Sequence, residues 1–224
     1  MNTNSNGYTI GYATVMVVIA AFLLAFVSQT LKPIQDENVE LDKKSQILAA
    51  LNMRGLEKTA IPSTYTDVVK NDYIINADGS IKQNEGGFKC GSEELVVYVC
   101  EVEGAKKYVF PVYGKGLWGA LWGYVALNDD FNTVYGMYMS HASETAGLGS
   151  LIAEQKFQDQ FIGKVIFAEG NATDIALSVV KNGKVQNGQY EVDGITGATL
   201  TGNGVDAMFK TSLSQYIGFF NANK

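Results

Sequence analysis

The chain opens on a run with no charged side chain from residue 1 to residue 31, and residues 9–27 within it (TIGYATVMVVIAAFLLAFV) are almost all apolar or small. At about 1.5 Å rise per residue, some 20 such residues cross the roughly 30 Å hydrocarbon core of a bilayer, so the run predicts a transmembrane helix. A cleaved signal peptide would need a basic first segment, a shorter apolar stretch and an A-x-A-like site, and the run has none of these. The expected organisation is a tail over 1–8 and an anchor over 9–31.

Beyond the anchor the pattern changes period. Residues 36–52 (DENVELDKKSQILAALN) place Ile47, Leu48 and Leu51 on a helical stripe behind Asp36 as an N-cap, predicting a juxtamembrane helix or stalk within 32–60. From 71 to 127 the runs are short and rich in β-branched and aromatic residues: 72–75, 95–102, 107–112 and 122–127, parted by turn signals at 77–79, 85–87 and 103–104. A further strand over 133–140 follows the 128–130 turn. Then come a helix near 151–161, strands near 175–180 and 189–192, and a last helix from 203 to 220. These elements predict an α+β domain over 61–224 with a largely antiparallel sheet and flanking helices.

Composition narrows what such a domain can do. With 46% hydrophobic residues it can bury a core, and its 17 basic against 23 acidic side chains give a formal charge of −6 that repels phosphate backbones, so nucleic acid is not an expected partner. The single histidine, His141, cannot build a His-rich metal site, and Cys90 and Cys100 have no metal-cradle spacing. The two cysteines either bridge neighbouring strands or stay as buried thiols. Redox chemistry here requires a borrowed cofactor.

The segment with the most chemistry in it is 193–204, DGITGATLTGNG, with four glycines in twelve residues leading into the last helix. Glycines let backbone N–H groups approach a ligand, and a helix N-terminus behind them favours a phosphate. The same residues also suit an ordinary Gly/Thr turn with Thr201 or Asn203 as the N-cap, and the segment lacks the lysine of a P-loop and the order of a Rossmann turn.

The stretch Asp193-Gly194-Ile195-Thr196-Gly197-Ala198-Thr199 resembles the flavinylation motif of the FMN-binding domain family, which includes the C subunit of the Na+-translocating NADH:quinone oxidoreductase and the G subunit of the related Rnf complex. Two more segments are similar to the same family: 114–118 (GKGLW) with 122–127 (WGYVAL), and His141 to Gly149 (HASETAGLG), with Ala146 where the family usually has proline. The resemblance covers nearly the whole chain, and GKGLW together with the LDKK stretch at 41–44 favours the C-subunit branch over the Rnf relative.

The resemblance implies FMN joined to Thr199 by a phosphoester. An unassisted threonine hydroxyl is a poor nucleophile, so attachment would need the family's Mg2+-dependent flavin transferase. The implied cofactor-binding set is Thr199, Gly194, Thr196, Gly197, Ala198 and Leu200 from one loop, Glu144, Thr145, Gly147, Leu148 and Gly149 from another, and Trp118. Glu144 would bring a carboxylate near the flavin, and Trp118 and His141 have plainer readings as core aromatic and structural residue.

No residue is expected to be catalytic and no metal to be bound. The implied role is an electron relay in a multi-subunit respiratory membrane complex, passing electrons from NADH toward quinone, coupled to Na+ export. By lysine count alone, Lys32, Lys43 and Lys44 favour a cytoplasmic C-terminal part. The family places it on the outer face of the bacterial inner membrane, and the expectation follows the family. An Rnf-type flavin subunit and a non-redox module holding a phosphate ligand stand as alternatives.

Overall fold

The structure is a computed structural model describing residues 5–223, and the chain divides into two compact units, 1–43 and 44–224. Both share one helix, α1 (Asn6–Ala50). Over residues 6–40 its side chains are exposed, and the apolar stretch is long enough to cross a membrane. The Thr14 and Thr30 hydroxyls donate to the Ile10 and Phe26 carbonyls at 2.8 Å each, so these two polar groups are satisfied within the helix. The separate helix expected from residue 36 is corrected here. No glycine stands between Gly11 and Gly55, the helix continues through Pro33, and Asp36 lies in its interior instead of capping a new start.

In the second unit α1 ends as a helix ends on a left-handed residue: Asn52 has φ 64° and the Met53 N–H reaches back to Leu48 O at 2.9 Å. Its last turn is core, with Ile47, Leu48 and Ala50 fully buried. Next come α2 (Ile61–Val68), opened by Pro62 and absent from the sequence expectation, then β1 (Val69–Ile75), the short β2 (Ile81–Gln83) and a 3₁₀ turn at Gly87–Lys89. Strands β3 (Leu95–Val102), β4 (Ala105–Lys115), β5 (Ala120–Asn128) and β6 (Val134–His141) form an antiparallel meander with them, in the order β2-β1-β3-β4-β5-β6.

Strand register sorts the side chains by face, because alternate residues point to opposite sides. Val97, Phe110, Val125 and Met137 lie across from one another in one buried row. That face packs against α4 (Thr199–Ser214) through Val205, Met208, Phe209 and Leu213, and against α5 (Ile217–Ala222) through Phe219 and Phe220, whose rings meet Phe110 and Phe131 edge-on or tilted. The opposite row, Tyr98, Val109, Ala126 and Gly136, ends where α1 lands: a Cβ on Gly136 would stand 2.3 Å from Ala50 O. Glycine leaves the strip bare that the helix end occupies.

Two expected helices differ. The segment near 151–161 is not one helix but a 3₁₀ turn at Gly149–Ala153, the single turn α3 (Gln155–Gln158) and a second 3₁₀ turn at Asp159–Phe161. Its buried side chains Ile152, Phe157 and Phe161 do not share a stripe of period 3.6, so the chain breaks at the extended Glu154 to bury all three. The last helix begins at Thr199, without Thr201 or Asn203 as a cap, and breaks before Ile217. Strands β7 (Ser178–Val180) and β8 (Glu191–Asp193) pair parallel to each other in a separate two-stranded sheet. Cys90 and Cys100 remain thiols, and burial pushes the Cys100 thiol up to about 12.

Candidate functional site

Three loops meet at the end of the sheet where β4 and β6 finish and β5 begins. The β4–β5 hairpin turns over 116–119, closed by the Gly116 N–H on Gly119 O at 2.8 Å. The chain leaves β6 at His141 and folds through 142–149. The third loop is 194–198, which feeds α4.

Two glycines let α4 approach the sheet: a Cβ on Gly114 would lie 2.6 Å from Met208 Cβ, and one on Gly204 would lie 2.6 Å from Lys115 O. Farther along, Ser212 Oγ donates to Tyr113 O and accepts from Tyr113 N, both at 3.0 Å.

Glu144 ties the loops together. Its side chain is buried, Oε1 accepts from the Trp118 N–H at 2.8 Å, and Oε2 accepts from the Thr201 hydroxyl at 2.6 Å. Its own N–H donates to Nδ1 of His141 at 3.2 Å.

Burial works against the charge, but the hydrogen bonds from Thr201, Trp118 and Gly119, with His141 nearby, more than offset it and hold the carboxyl below its ordinary value of 4.5. Hydrogen bonds to a charged acceptor contribute about 1.5–3 kcal/mol each. The carboxylate fits because two glycines make room: a Cβ on Gly116 would meet Oε1 at 2.5 Å, and one on Gly149 would meet Oε2 at 2.6 Å and Thr201 Oγ1 at 2.5 Å.

Around this buried clamp the surface is unusually apolar. Trp118 is 66% exposed, Leu200 60%, Leu117 45% and Leu148 40%. Thr199 is exposed as the first residue of α4, and the helix start has no side-chain cap, leaving the first N–H groups of the turn to another acceptor. Thr199 also borders a narrow cleft with Lys181, Asn182 and Asn203.

The predicted residues are therefore brought together, in different attitudes. Thr199, Thr196, Gly197, Thr145, Gly147, Leu148, Leu200 and Trp118 are exposed, while Gly194, Ala198, Glu144 and Gly149 are buried. Gly194 is pinned by its N–H on Val180 O at 2.8 Å. Gly197, at φ 80°, turns the loop beside Leu148, whose Cδ2 would lie 3.1 Å from an added Cβ. The Glu144 carboxylate faces the interior.

Sequence reasoning took Thr201 only as a possible cap and Gly116 only as part of GKGLW, and it missed Lys181 and Asn182. For Thr201 the available signal was its place on the buried side of an otherwise apolar stripe. A cleft of about 550 Å³, beside Asp193 and Gln160, shares Asn182, Gly194 and Ile195 with the cleft that Thr199 borders, whereas one of about 600 Å³, beside Phe167 and Glu169, shares no residue with it.

This arrangement of an exposed threonine on an uncapped helix start, beside an apolar platform, lies within residues 116–214, which match the FMN-binding domain family. The molecule is an FMN-binding domain carried on an apolar N-terminal helix.

Over 93% of its length the chain is 32% identical to the C subunit of the Na+-translocating NADH-quinone reductase of Haemophilus ducreyi, covering 90% of that protein, and 29% identical over the same shares to that of Vibrio campbellii. It superposes on the crystal structure of the corresponding C subunit from Parabacteroides distasonis with a TM-score of 0.80 at 36% identity, covering 85% of this chain and 96% of that one. The chain belongs to the C-subunit family of the Na+-translocating NADH-quinone reductases.

Proposed function

We propose that this chain carries FMN on Thr199 through a phosphoester and passes electrons between neighbouring redox centres on the way from NADH to quinone, coupled to sodium export. The observation that carries this reading is the exposed Thr199 at an uncapped helix start, inside a DGITGAT motif and beside exposed Leu148, Leu200 and Trp118. The residues present suit the cofactor. A phosphate on Thr199 Oγ1 lies at the positive end of the α4 dipole, with Lys181 adding charge on that side and the apolar side chains offering a seat to a planar ring. FMN supplies one- and two-electron redox chemistry. The protein's part is to hold the phosphate, seat the ring and present it to a partner.

Partners under this reading are the other subunits of the complex, the membrane around residues 9–31, and a flavin transferase for maturation. The FMN-binding domain, expected over 61–224 and completed by the buried end of α1, is assigned to the outer face of the inner membrane. Thr199→Ala should leave a folded protein, changed by no more than about 0.5 kcal/mol, with no flavin fluorescence after denaturation and no added mass. Thr196→Ala should keep the adduct. Covalent flavin persisting in the Thr199→Ala protein would sink the assignment. For the topology, a cysteine placed near Lys181 in a chain lacking Cys90 and Cys100 should react with a membrane-impermeant reagent in cells with an intact inner membrane; labelling only after permeabilisation would reverse it.

A further inference from the structure

Three threonines, Thr196, Thr199 and Thr201, stand within six positions of one another, and the fold treats them differently. Thr196 and Thr199 are exposed, whereas Thr201 is 2% exposed with its hydroxyl held by Glu144 at 2.6 Å. Residues two apart on an α-helix point about 200° apart, so holding Thr201 inward turns Thr199 outward. The turn needs holding. Ala198 offers no side-chain cap, Gly202 and Gly204 are poor helix formers, and the bond of the Gly202 N–H to Ala198 O at 2.9 Å is local. Glu144 supplies the tie from outside the helix, and its other oxygen is fixed by the Trp118 N–H on the hairpin across the site.

We propose that Glu144 is the positioning residue for flavin attachment: by gripping the Thr201 hydroxyl and the Trp118 amide together it sets the rotation of the first turn of α4 and makes Thr199 the threonine that is modified. This rests on the reading that Thr199 carries FMN. In the attachment step, Thr199 Oγ1 gains a bond to the phosphorus of an FMN donor activated as a phosphoanhydride. The anhydride P–O bond breaks, the leaving phosphate departs with the electron pair, and the hydroxyl proton passes to a base of the transferase. Glu144 takes no proton in this step, since both its oxygens are occupied by Trp118 and Thr201. It acts by orientation, where small misplacements of a reacting atom cost rate heavily.

The test uses the full chain co-expressed with the family's flavin transferase, with FMN followed over time by intact mass and located among Thr196, Thr199 and Thr201 by peptide mass. Folding of each variant is checked by thermal melting. Glu144→Ala and Thr201→Val should each slow attachment at Thr199 per folded molecule by about tenfold to a hundredfold. The double variant should be no slower than either single one, because both remove the same hydrogen bond. Glu144→Gln, whose amide can accept from Trp118 and donate to Thr201, should recover most of the loss, as should Thr201→Ser.

If Glu144→Ala does not fold, the Thr201→Val and Thr201→Ser pair decides alone. Folded Glu144→Ala or Thr201→Val protein loading Thr199 at the wild-type rate would overturn the proposal, as would losses that multiply in the double variant. Wild-type protein with no FMN on Thr199 would instead overturn the attachment reading itself, a separate result.

Discussion

The two ends of the β5–β6 hairpin solve the same problem in opposite ways. At the closed end, between Asn128 and Val134, Asp130 accepts from the Asn132 N–H at 2.9 Å, the Thr133 N–H at 2.8 Å and the Thr133 hydroxyl at 2.5 Å. Every donor is within three residues. At the open end, Glu144 accepts from Trp118 and Thr201, 26 and 57 positions away in the chain. Asp130 takes its donors from its own turn, whereas the Glu144 carboxylate at the open end takes them from residues the fold must first assemble. Carboxylates of one chemical type thus serve as a local turn former and as a long-range clamp, and the difference lies in which groups donate to them.

The sharpest way to break this contrast is Gly149→Ala. The added Cβ would stand 2.5 Å from Thr201 Oγ1 and 2.6 Å from Glu144 Oε2, two buried atoms committed to each other, so either the hydrogen bond or the loop must move. Overpacking of this kind costs about 1–3 kcal/mol. We expect a lower melting temperature together with slower FMN attachment, and an unchanged attachment rate would show that the clamp tolerates displacement.

Asp130→Ala should be milder, about 1–2 kcal/mol, because the donors it abandons are near solvent and water replaces it. Chemical denaturation measures that loss, and FMN attachment should not change; a defect in attachment would mean the two ends are coupled.

The smallest effect is in acid. The Glu144 carboxyl titrates below 4.5 in the folded chain, so the stability it contributes is fully present above that value and is lost as the pH falls through the folded one. Asp130 is depressed too, so the informative quantity is the difference between wild type and Glu144→Gln. Their melting temperatures should differ above pH 4.5 and converge as the pH falls below it. Parallel curves throughout would show that Glu144 contributes no acid-sensitive stability.

The same distinction explains what the sequence disclosed. Strand 95–102 was legible to the residue, and 107–112, 122–127 and 133–140 to within a few, because alternation and turn residues are local signals. The motif at 193–199 and the loop at 144–149 were legible from resemblance, and the fold does bring them together through Gly197 and Leu148. What could not be read was the attitude of each residue. Whether Glu144 faces a ligand or the core depends on Thr201 and Trp118, and nothing in the spacing links them. The helix near 151–161 failed for a related reason: Gln158, 1% exposed, spends its amide on Met139 O and Ile152 O, so tertiary contacts override helical continuity.

The end of α1 sets where proteolysis could release this domain intact. The helix that begins as the apolar run finishes as part of the domain's core, with Ile47 and Leu48 completely buried and Leu51 1% exposed. A protease cutting before Lys44 would shed a domain with its core complete. A cut past Leu51 would pull three large side chains, Ile47, Leu48 and Leu51, out of the core, each comparable to a buried large-to-small change of about 2–5 kcal/mol. The tether is therefore not disposable along its whole length: its last two turns are the domain's own, and shedding there amounts to unfolding.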